Sequence, residues 1–301
     1  MKTIVIAAGY ATRLYPLTEN FPKPLLQIGS STILDRMLDD IDTIPEITEH
    51  IVVTNHKFAS IFQDWADTRH ARRSLSRSLS LSKGDLESQT NRHARRSLSR
   101  SLSLSKGPSN GDRASQTPDH PSTSSGSVGG DKIRILDDGT STNETRLGAV
   151  LDLILAIETY GIDEDILVVA ADNILDFSFR GFVEEFHRKG TSMIMCHQEP
   201  EIYKLQRTGV IEVDDDFRVL QMQEKPKEPV SHWAVPPFYI YRREDLPIIR
   251  EALQHGCGFD APGNLAHYMV DASVLHAWPM PAGRFDIGSL DTYEEAKKIY
   301  A

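Results

Sequence analysis

Cysteine is scarce. The 301 residues contain two, Cys196 and Cys257, at no spacing that suits a metal, a redox pair or a secreted disulfide framework. That absence points to a reducing, cytoplasmic setting. Long apolar runs are missing too. No stretch approaches the roughly 18 consecutive apolar residues of a membrane-spanning helix, so no membrane association is expected. The opening MKTIVIAAG is too short for the apolar region of a secretion signal and runs straight into a glycine loop. Positive charge is in deficit, with a formal net charge of −10, which argues against nucleic acid as a general partner. What is present is apolar mass. At 40% hydrophobic, 301 residues can bury a sizeable core, in one large or two small domains.

One segment departs from the rest. RHARRSLSRSLSLSKG occurs at 69–84 and again, identically, at 92–107, followed by a tract rich in Ser, Pro, Gly and Asp. Across 71–131, aromatic and β-branched residues are limited to Thr90, Thr117, Thr123 and Val128. Such a composition buries too little apolar surface to offset the entropy of ordering it. The segment reads as a disordered, low-complexity insert. It holds ten Lys and Arg against five Asp and Glu, a net +5, leaving −15 for the remainder. Arg-Arg-Ser-Leu-Ser would suit a kinase or an acidic partner. A functionless duplicated stretch reads the same and is the preferred interpretation.

Outside the insert, residues 1–70 and 132–301 alternate between strand and helix patterns. TIVIA (3–7), HIVVTN (50–55), KIRILDD (132–138) and DILVVAADN (165–173) are short apolar strands of a buried, parallel kind. SSTILDRMLDDID (30–42), KFASIFQDWAD (57–67), TRLGAVLDLILAIETYG (145–161) and FSFRGFVEEFHRKG (177–190) read as helices. GVIEVDDDFRVLQMQEKP (209–226) reads as a hairpin turning at Asp214–Asp216, and WAVPPFYIY (233–241) as one strand. The pattern predicts an α/β fold. It is a single, doubly wound, mostly parallel sheet with helices on both faces, whose ligands sit at the carboxyl ends of the strands. The insert joins a helix to the next strand, so it should emerge at the opposite end, away from any catalysis.

Three sets of residues could carry chemistry. After the first strand, Gly9 opens a tight loop in which free backbone N–H groups would make an anion nest. Thr12, Arg13 and Lys23 add a hydroxyl and two cations, and Pro22 and Pro24 pin the chain around Lys23. Asp172 and Asp286 follow separate apolar steps, as two carboxylates holding Mg²⁺ beside a triphosphate would. An ordinary strand–helix turn and two loop-capping aspartates would read the same way. Ser80-Leu81-Ser82-Lys83 matches an S-x-x-K pattern, but only within the low-complexity insert.

Order along the chain is more specific. Ala8-Gly9-Tyr10-Ala11-Thr12-Arg13-Leu14 with Pro22-Lys23-Pro24-Leu25 resembles the G-G-x-G-T-R-L and P-K-P-L signature of the sugar-phosphate nucleotidyltransferases. Leu147-Gly148-Ala149, Ala171-Asp172-Asn173, Glu224-Lys225-Pro226 and Phe285-Asp286-Ile287-Gly288 resemble the family's later stations, in its order. The resemblance covers nearly the whole chain apart from the insert and implies the Rossmann-like fold of that family. Ala8, Gly9, Thr12 and Arg13 would hold the donor's phosphates, and Leu147 and Gly148 would lie against its base. Lys23 would reach the α-phosphate and the incoming sugar phosphate. Gly209, Glu224 and Lys225 would bind that sugar phosphate, and Asp172 and Asp286 would hold Mg²⁺. Arg13 and Lys23 would carry the catalytic charge.

The implied reaction joins a nucleoside triphosphate, with dTTP or UTP the first guess, to a sugar-1-phosphate. It releases pyrophosphate, and a homo-oligomer is compatible with it. Two alternatives stand beside it: a non-catalytic nucleotide- or sugar-sensing module of the same fold, and a cytidylyl- or guanylyltransferase acting on another phosphate. This sequence departs from the signature at Ala11, in the place of a glycine. If that place needs a positive φ, alanine costs on the order of 1 kcal/mol. Ala171, before the metal aspartate, is a second small-for-small change.

Overall fold

The computed structural model describes residues 1–75 and 132–300. Contacts divide the chain into two units, Met1–Ala66 with Val128–Ala301, and Asp67–Ser127. Of the second, the helical residues 67–75 are described. The helix expected over 57–67 spans 59–75 (α2), so residues 71–75 are helical rather than part of a disordered insert. Ala, Arg and Leu are good helix formers, and they continue the helix past the composition break. The rest of the expected insert, 76–131, lies outside the described residues.

The chain begins with β1 (Lys2–Ile6), a two-strand ribbon of β2 (Gln27–Ile28) and β3 (Ser31–Thr32), helix α1 (Ile33–Ile41) and β4 (Glu49–Thr54). Thr32 caps α1 as its residue type predicts, its hydroxyl accepting the Asp35 N–H at 2.9 Å. After α2 come β5 (Lys132–Asp137), α3 (Ala149–Thr159), β6 (Ile166–Ala170), β7 (Asn173–Leu175) and α4 (Arg180–Lys189). Gly190 ends α4 in a left-handed conformation, φ 66°. Then follow β8 (Ser192–Gln198), α5 (Ile202–Leu205), β9 (Gly209–Val213), β10 (Val219–Glu224), β11 (Trp233–Val235) and β12 (Phe238–Tyr241). The chain closes with α6 (Leu246–Glu251), α7 (Pro262–Ala272), β13 (Leu275–Pro279), β14 (Arg284–Asp286) and α8 (Leu290–Tyr300).

Ten strands form one sheet in the order β10-β9-β11-β8-β12-β6-β1-β4-β5, with β13 parallel to β8. Strands β10, β11 and β12 are antiparallel to every neighbour, so the other seven share one direction, the mostly parallel sheet expected. Alternation along each strand feeds two cores. Ile4, Ile51, Val53, Ile166 and Val168 pack under α3, α6 and α7. Val5, Val52, Leu167 and Val169 pack under α1, α2 and α4. The acidic run at 214–216 is a hairpin turn, where Asp214 Oδ1 accepts the N–H groups of Asp216 and Arg218.

The stretch 233–241 is not one strand. Pro236 and Pro237 break it into β11 and β12, because proline cannot donate to a ladder. Both halves pair along β8, but beyond them β9 joins β11 while β6 joins β12. The sheet therefore forks at the two prolines. The end of β6 and the start of β9 face each other across the gap.

Candidate active site

From β1 the chain crosses to β4 on one side and later returns to β6 on the other. The crevice between the ends of β1 and β6 is thus the topological switch point, where open α/β sheets bind ligands. The loop after β1 fills its edge. Asn55, just past β4, donates from Nδ2 to Ala8 O at 2.9 Å and holds the loop to the sheet. Gly9 is exposed, and a Cβ there would meet nothing within 4 Å. Ala11 stands at φ 48°, ψ 41°, the left-handed region that favours glycine. Its carbonyl accepts the Leu14 N–H at 2.9 Å and the Thr18 hydroxyl at 2.8 Å, which lock the turn. Thr12 and Arg13 follow in one 3-10 turn, both exposed.

Lys23 lies in a second 3-10 turn between its prolines and is 9% exposed. Its Nζ sits 3.1 Å from Asp172 Oδ2. A cavity of about 180 Å³ brings together Gly9, Ala11, Lys23, Pro24, Ala171 and Asp172.

Asp172 follows β6, and β7 begins at the next residue. Strand β14 pairs antiparallel to β7, with Asp286 opposite Asn173, and Ile287 donates to Asp172 O at 3.0 Å. This two-strand ladder fixes the two aspartates side by side. Asn173 Nδ2 donates to Asp172 Oδ1 at 2.6 Å, and Arg284 Nη1 donates to Asn173 Oδ1 at 2.6 Å. Asp286 opens to solvent, yet the cavity walls thin the water around it. That desolvation, and then the Asp172 charge, push its carboxyl above the usual range, against the pull of Lys23, Arg284 and Arg13. Two hard oxygen donors in mutual repulsion are a fitting seat for a divalent cation. Among the described residues no group of three or more His, Cys, Asp or Glu could hold a metal alone, so ligands from a substrate would have to complete it.

A second cavity, about 740 Å³, opens at the fork of the sheet. It is lined by Asp172, Asp286, Gly209, Glu224, Lys225 and Arg284, among others. Glu224 rests against the first turn of α7, where a Cβ on Gly263 would lie 1.9 Å from its Oε2. Desolvation raises its carboxyl, and Lys225 opposes the rise. Lys225 takes φ 51°, held by its N–H donating to Thr208 O at 3.0 Å. A non-glycine residue held in this region is a point of local backbone strain.

Leu147 and Gly148 line neither cavity. Gly148 begins α3 at φ 95°, and a Cβ would meet Phe259 O at 2.6 Å. The first α3 amides, of Ala149 and Val150, donate to Asp260 O and Phe259 O at 3.0 Å each. Residues 259–260 therefore cover the start of this helix.

Comparison with known proteins agrees with this arrangement. A family model described as nucleotidyl transferase matches residues 2–84 and 132–301. The chain belongs to the nucleotidyl transferase family. This nucleotidyl transferase is 21% identical over 300 residues to a glucose-1-phosphate adenylyltransferase of Fervidobacterium nodosum, covering 97% of its own length and 59% of that protein. It is 20% identical over 307 residues to a UTP–glucose-1-phosphate uridylyltransferase of Haloferax volcanii, covering 99% and 96%. Its fold resembles a crystal structure of UDP-glucose pyrophosphorylase complexed with UDP-glucose. The TM-score is 0.67 at 18% identity, covering 99% and 97% of the two chains.

Several residues of this nucleotidyl transferase site escaped the sequence reading. Arg284 and Asn173 flank the aspartates. R-F-D in a strand puts Arg284 on the face of Asp286, a signal that alternation alone carries. His197 lines the larger cavity, with its protonation pushed down to about 4 by burial and then by Arg284. Outside both cavities, Asp152 in α3 is 3% exposed with Oδ1 lacking any partner. Burial and then the Asp138 charge push its carboxyl up to about 7. Nothing in the apolar run AVLDLILAI marks it.

Proposed function

We propose that this enzyme transfers a nucleoside monophosphate from a nucleoside triphosphate to a sugar-1-phosphate, giving a nucleoside-diphosphate sugar and pyrophosphate, with Mg²⁺. The observation that carries the reading is the sharing of Asp172. It lines both the small cavity of the glycine loop and Lys23 and the large cavity of Gly209, Glu224 and Lys225. A donor phosphate chain in the first and an acceptor in the second would meet at this carboxylate.

An oxygen of the sugar phosphate attacks the α-phosphorus in line. The bond from α-phosphorus to the bridging oxygen breaks, and pyrophosphate leaves with its electron pair. The nucleophile is already an anion, so positioning and charge neutralisation carry the catalysis. Amides of the loop from Ala8 to Thr12, with Arg13, hold the leaving phosphates. Lys23 offers its ammonium between the two phosphates that meet. Glu224 accepts from sugar hydroxyls, Lys225 faces the sugar's phosphate, and Gly209 lets that ligand approach the backbone. Leu147 and Gly148 border the base once residues 259–260 give way. Asp172 and Asp286 are the ligands for Mg²⁺, which when bound supplies positive charge to the phosphate oxygens.

A pyrophosphate-release screen tests the reading. Each of dTTP, UTP, ATP, GTP and CTP is paired with a panel of sugar-1-phosphates, starting from glucose-1-phosphate with UTP or dTTP. Turnover with at least one pair, abolished by Asp172→Asn and by Lys23→Ala in folded protein, is expected. Silence across the panel would favour a sensing module. Full activity in either variant would contradict the assigned roles.

A further inference from the structure

We propose that Arg284 is a positioning residue: through the Asn173 amide it sets the orientation of the Asp172 carboxylate and thereby the affinity of the paired aspartates for a divalent cation. The inference rests on the reading that Asp172 and Asp286 hold that cation.

A guanidinium restricts how a neighbouring group can face it. Arginine carries only donors, so a neighbouring amide can face it only with its oxygen. Arg284 Nη1 takes Asn173 Oδ1 at 2.6 Å, which leaves Asn173 Nδ2 to point the other way, to Asp172 Oδ1 at 2.6 Å. Asn173 is 2% exposed, so water offers no substitute for either contact. A flipped amide would set its NH2 against the guanidinium, donor to donor, while turning its only oxygen onto the carboxylate. The arginine therefore imposes a polarity that asparagine alone lacks.

Geometry holds the relay in place. Arg284 and Asn173 stand on paired strands, β14 and β7, with Arg284 opposite Leu175 and Asn173 opposite Asp286. Arg284 Nε is buried without a hydrogen-bond partner, so the contact to Asn173 is the side chain's hydrogen bond among the described residues. A guanidinium that leaves one donor unmet in order to meet this amide is placed for the amide. Outer contacts of this kind orient metal ligands, and their removal typically costs about 10–100-fold in metal affinity.

The test is Mn²⁺ binding to the protein loaded with a non-hydrolysable nucleoside triphosphate, counted above what the nucleotide takes up alone and followed by paramagnetic resonance, with thermal melts confirming the fold. Parent protein is expected to bind Mn²⁺ and Asp172→Asn to lose it. Arg284→Met and Asn173→Ala should each weaken binding about 10–100-fold. In the double variant the second change should cost nothing further, because both act through one amide. Arg284→Lys, still a pure donor, should recover most of the loss. If Arg284→Met does not fold, Arg284→Gln takes its place, since its amide can present either end and imposes no polarity. Parent-like binding in the Arg284 variant overturns the proposal. So do losses that add in the double variant, which would make Arg284 a simple charge. Mn²⁺ binding untouched by Asp172→Asn would instead remove the metal reading beneath it.

Discussion

Ala11 holds a backbone conformation that its own side chain disfavours. At φ 48° and ψ 41° a Cβ crowds the following carbonyl, at about 1–2 kcal/mol for a residue other than glycine. Two hydrogen bonds to its carbonyl, from Leu14 and Thr18, keep it there. Ala11→Gly relieves that strain, while glycine's extra freedom in the unfolded chain takes back about 0.4–1 kcal/mol. The expected outcome is a stability gain of about 0.5 kcal/mol in thermal melts and a few-fold lower KM for the nucleoside triphosphate. A clear loss of stability would show that the loop prefers alanine. Asp152 is a second residue under stress. Its carboxyl, buried without a partner at Oδ1, titrates near 7 instead of near 3.8. A folded value raised above the unfolded one makes the charged form a cost at high pH, and that cost fades as pH falls from about 7 towards 4. Asp152→Asn should therefore stabilise at pH 8, on the order of 1–3 kcal/mol after the residual unmet polar atom is counted. Its advantage should shrink near pH 4, and melts across that range check it. Ala11, Arg13, Lys23, Asp172 and Asp286 were legible because each sits at the end of an apolar strand or inside an ordered signature. Asp152 was not, since only its burial in the fold and the nearby charge of Asp138 reveal what its position in a helix means.

Elements near the cavities work through close approach. The first turn of α7 lies so near β10 that Gly263 leaves room for the Glu224 carboxylate and little else. A methyl group there would push aside the tip of a flexible side chain, not backbone. Gly263→Ala is therefore expected to leave the melting temperature within a few degrees. It should raise KM for the sugar phosphate at least ten-fold, with KM for the nucleotide little changed. A matching rise in both would mean that α7 itself had shifted. The segment before α7 reaches the other way, with Arg146 on Asp260 Oδ1 at 3.0 Å and two α3 amides on its carbonyls. One short stretch thus touches the start of α3 and lies beside Glu224. Sequence periodicity assigned α3 but could not show the stretch before α7, because its role is set by carbonyl directions. The β7–β14 ladder was closer to legible: Asp286 was singled out, and the alternation that brings Arg284 to its side is written in three letters.

At the scale of the molecule, the doubly wound sheet followed from four apolar strands alternating with helices. The fork did not, although both prolines stand in plain view within WAVPPFYIY. A proline pair in a run of strand formers marks a break in the ladder, and the larger cavity opens at that break. The family match skips 85–131. A variant joining residue 75 to residue 132 through a short Gly-Ser linker is expected to keep parent kcat and KM, measured by pyrophosphate release. A drop beyond ten-fold would give the intervening residues a part in catalysis.

The contact between Lys23 and Asp172 bears on the order in which the two substrates arrive. Before any nucleotide enters, the ammonium already occupies the carboxylate oxygen that a cation would seek. A triphosphate, with four negative charges to offer, is a stronger lure for that ammonium than one carboxylate. Its entry would draw Lys23 away and free Asp172 in the same stroke, whereas a sugar phosphate arriving first meets a centre still closed by its own ion pair. The expected steady-state pattern is compulsory-order, nucleotide first. The nucleotide sugar product should inhibit competitively against the nucleotide and non-competitively against the sugar phosphate. Lys23→Arg, which keeps the charge but grips the carboxylate with two donors, should sharpen that order while slowing the first step.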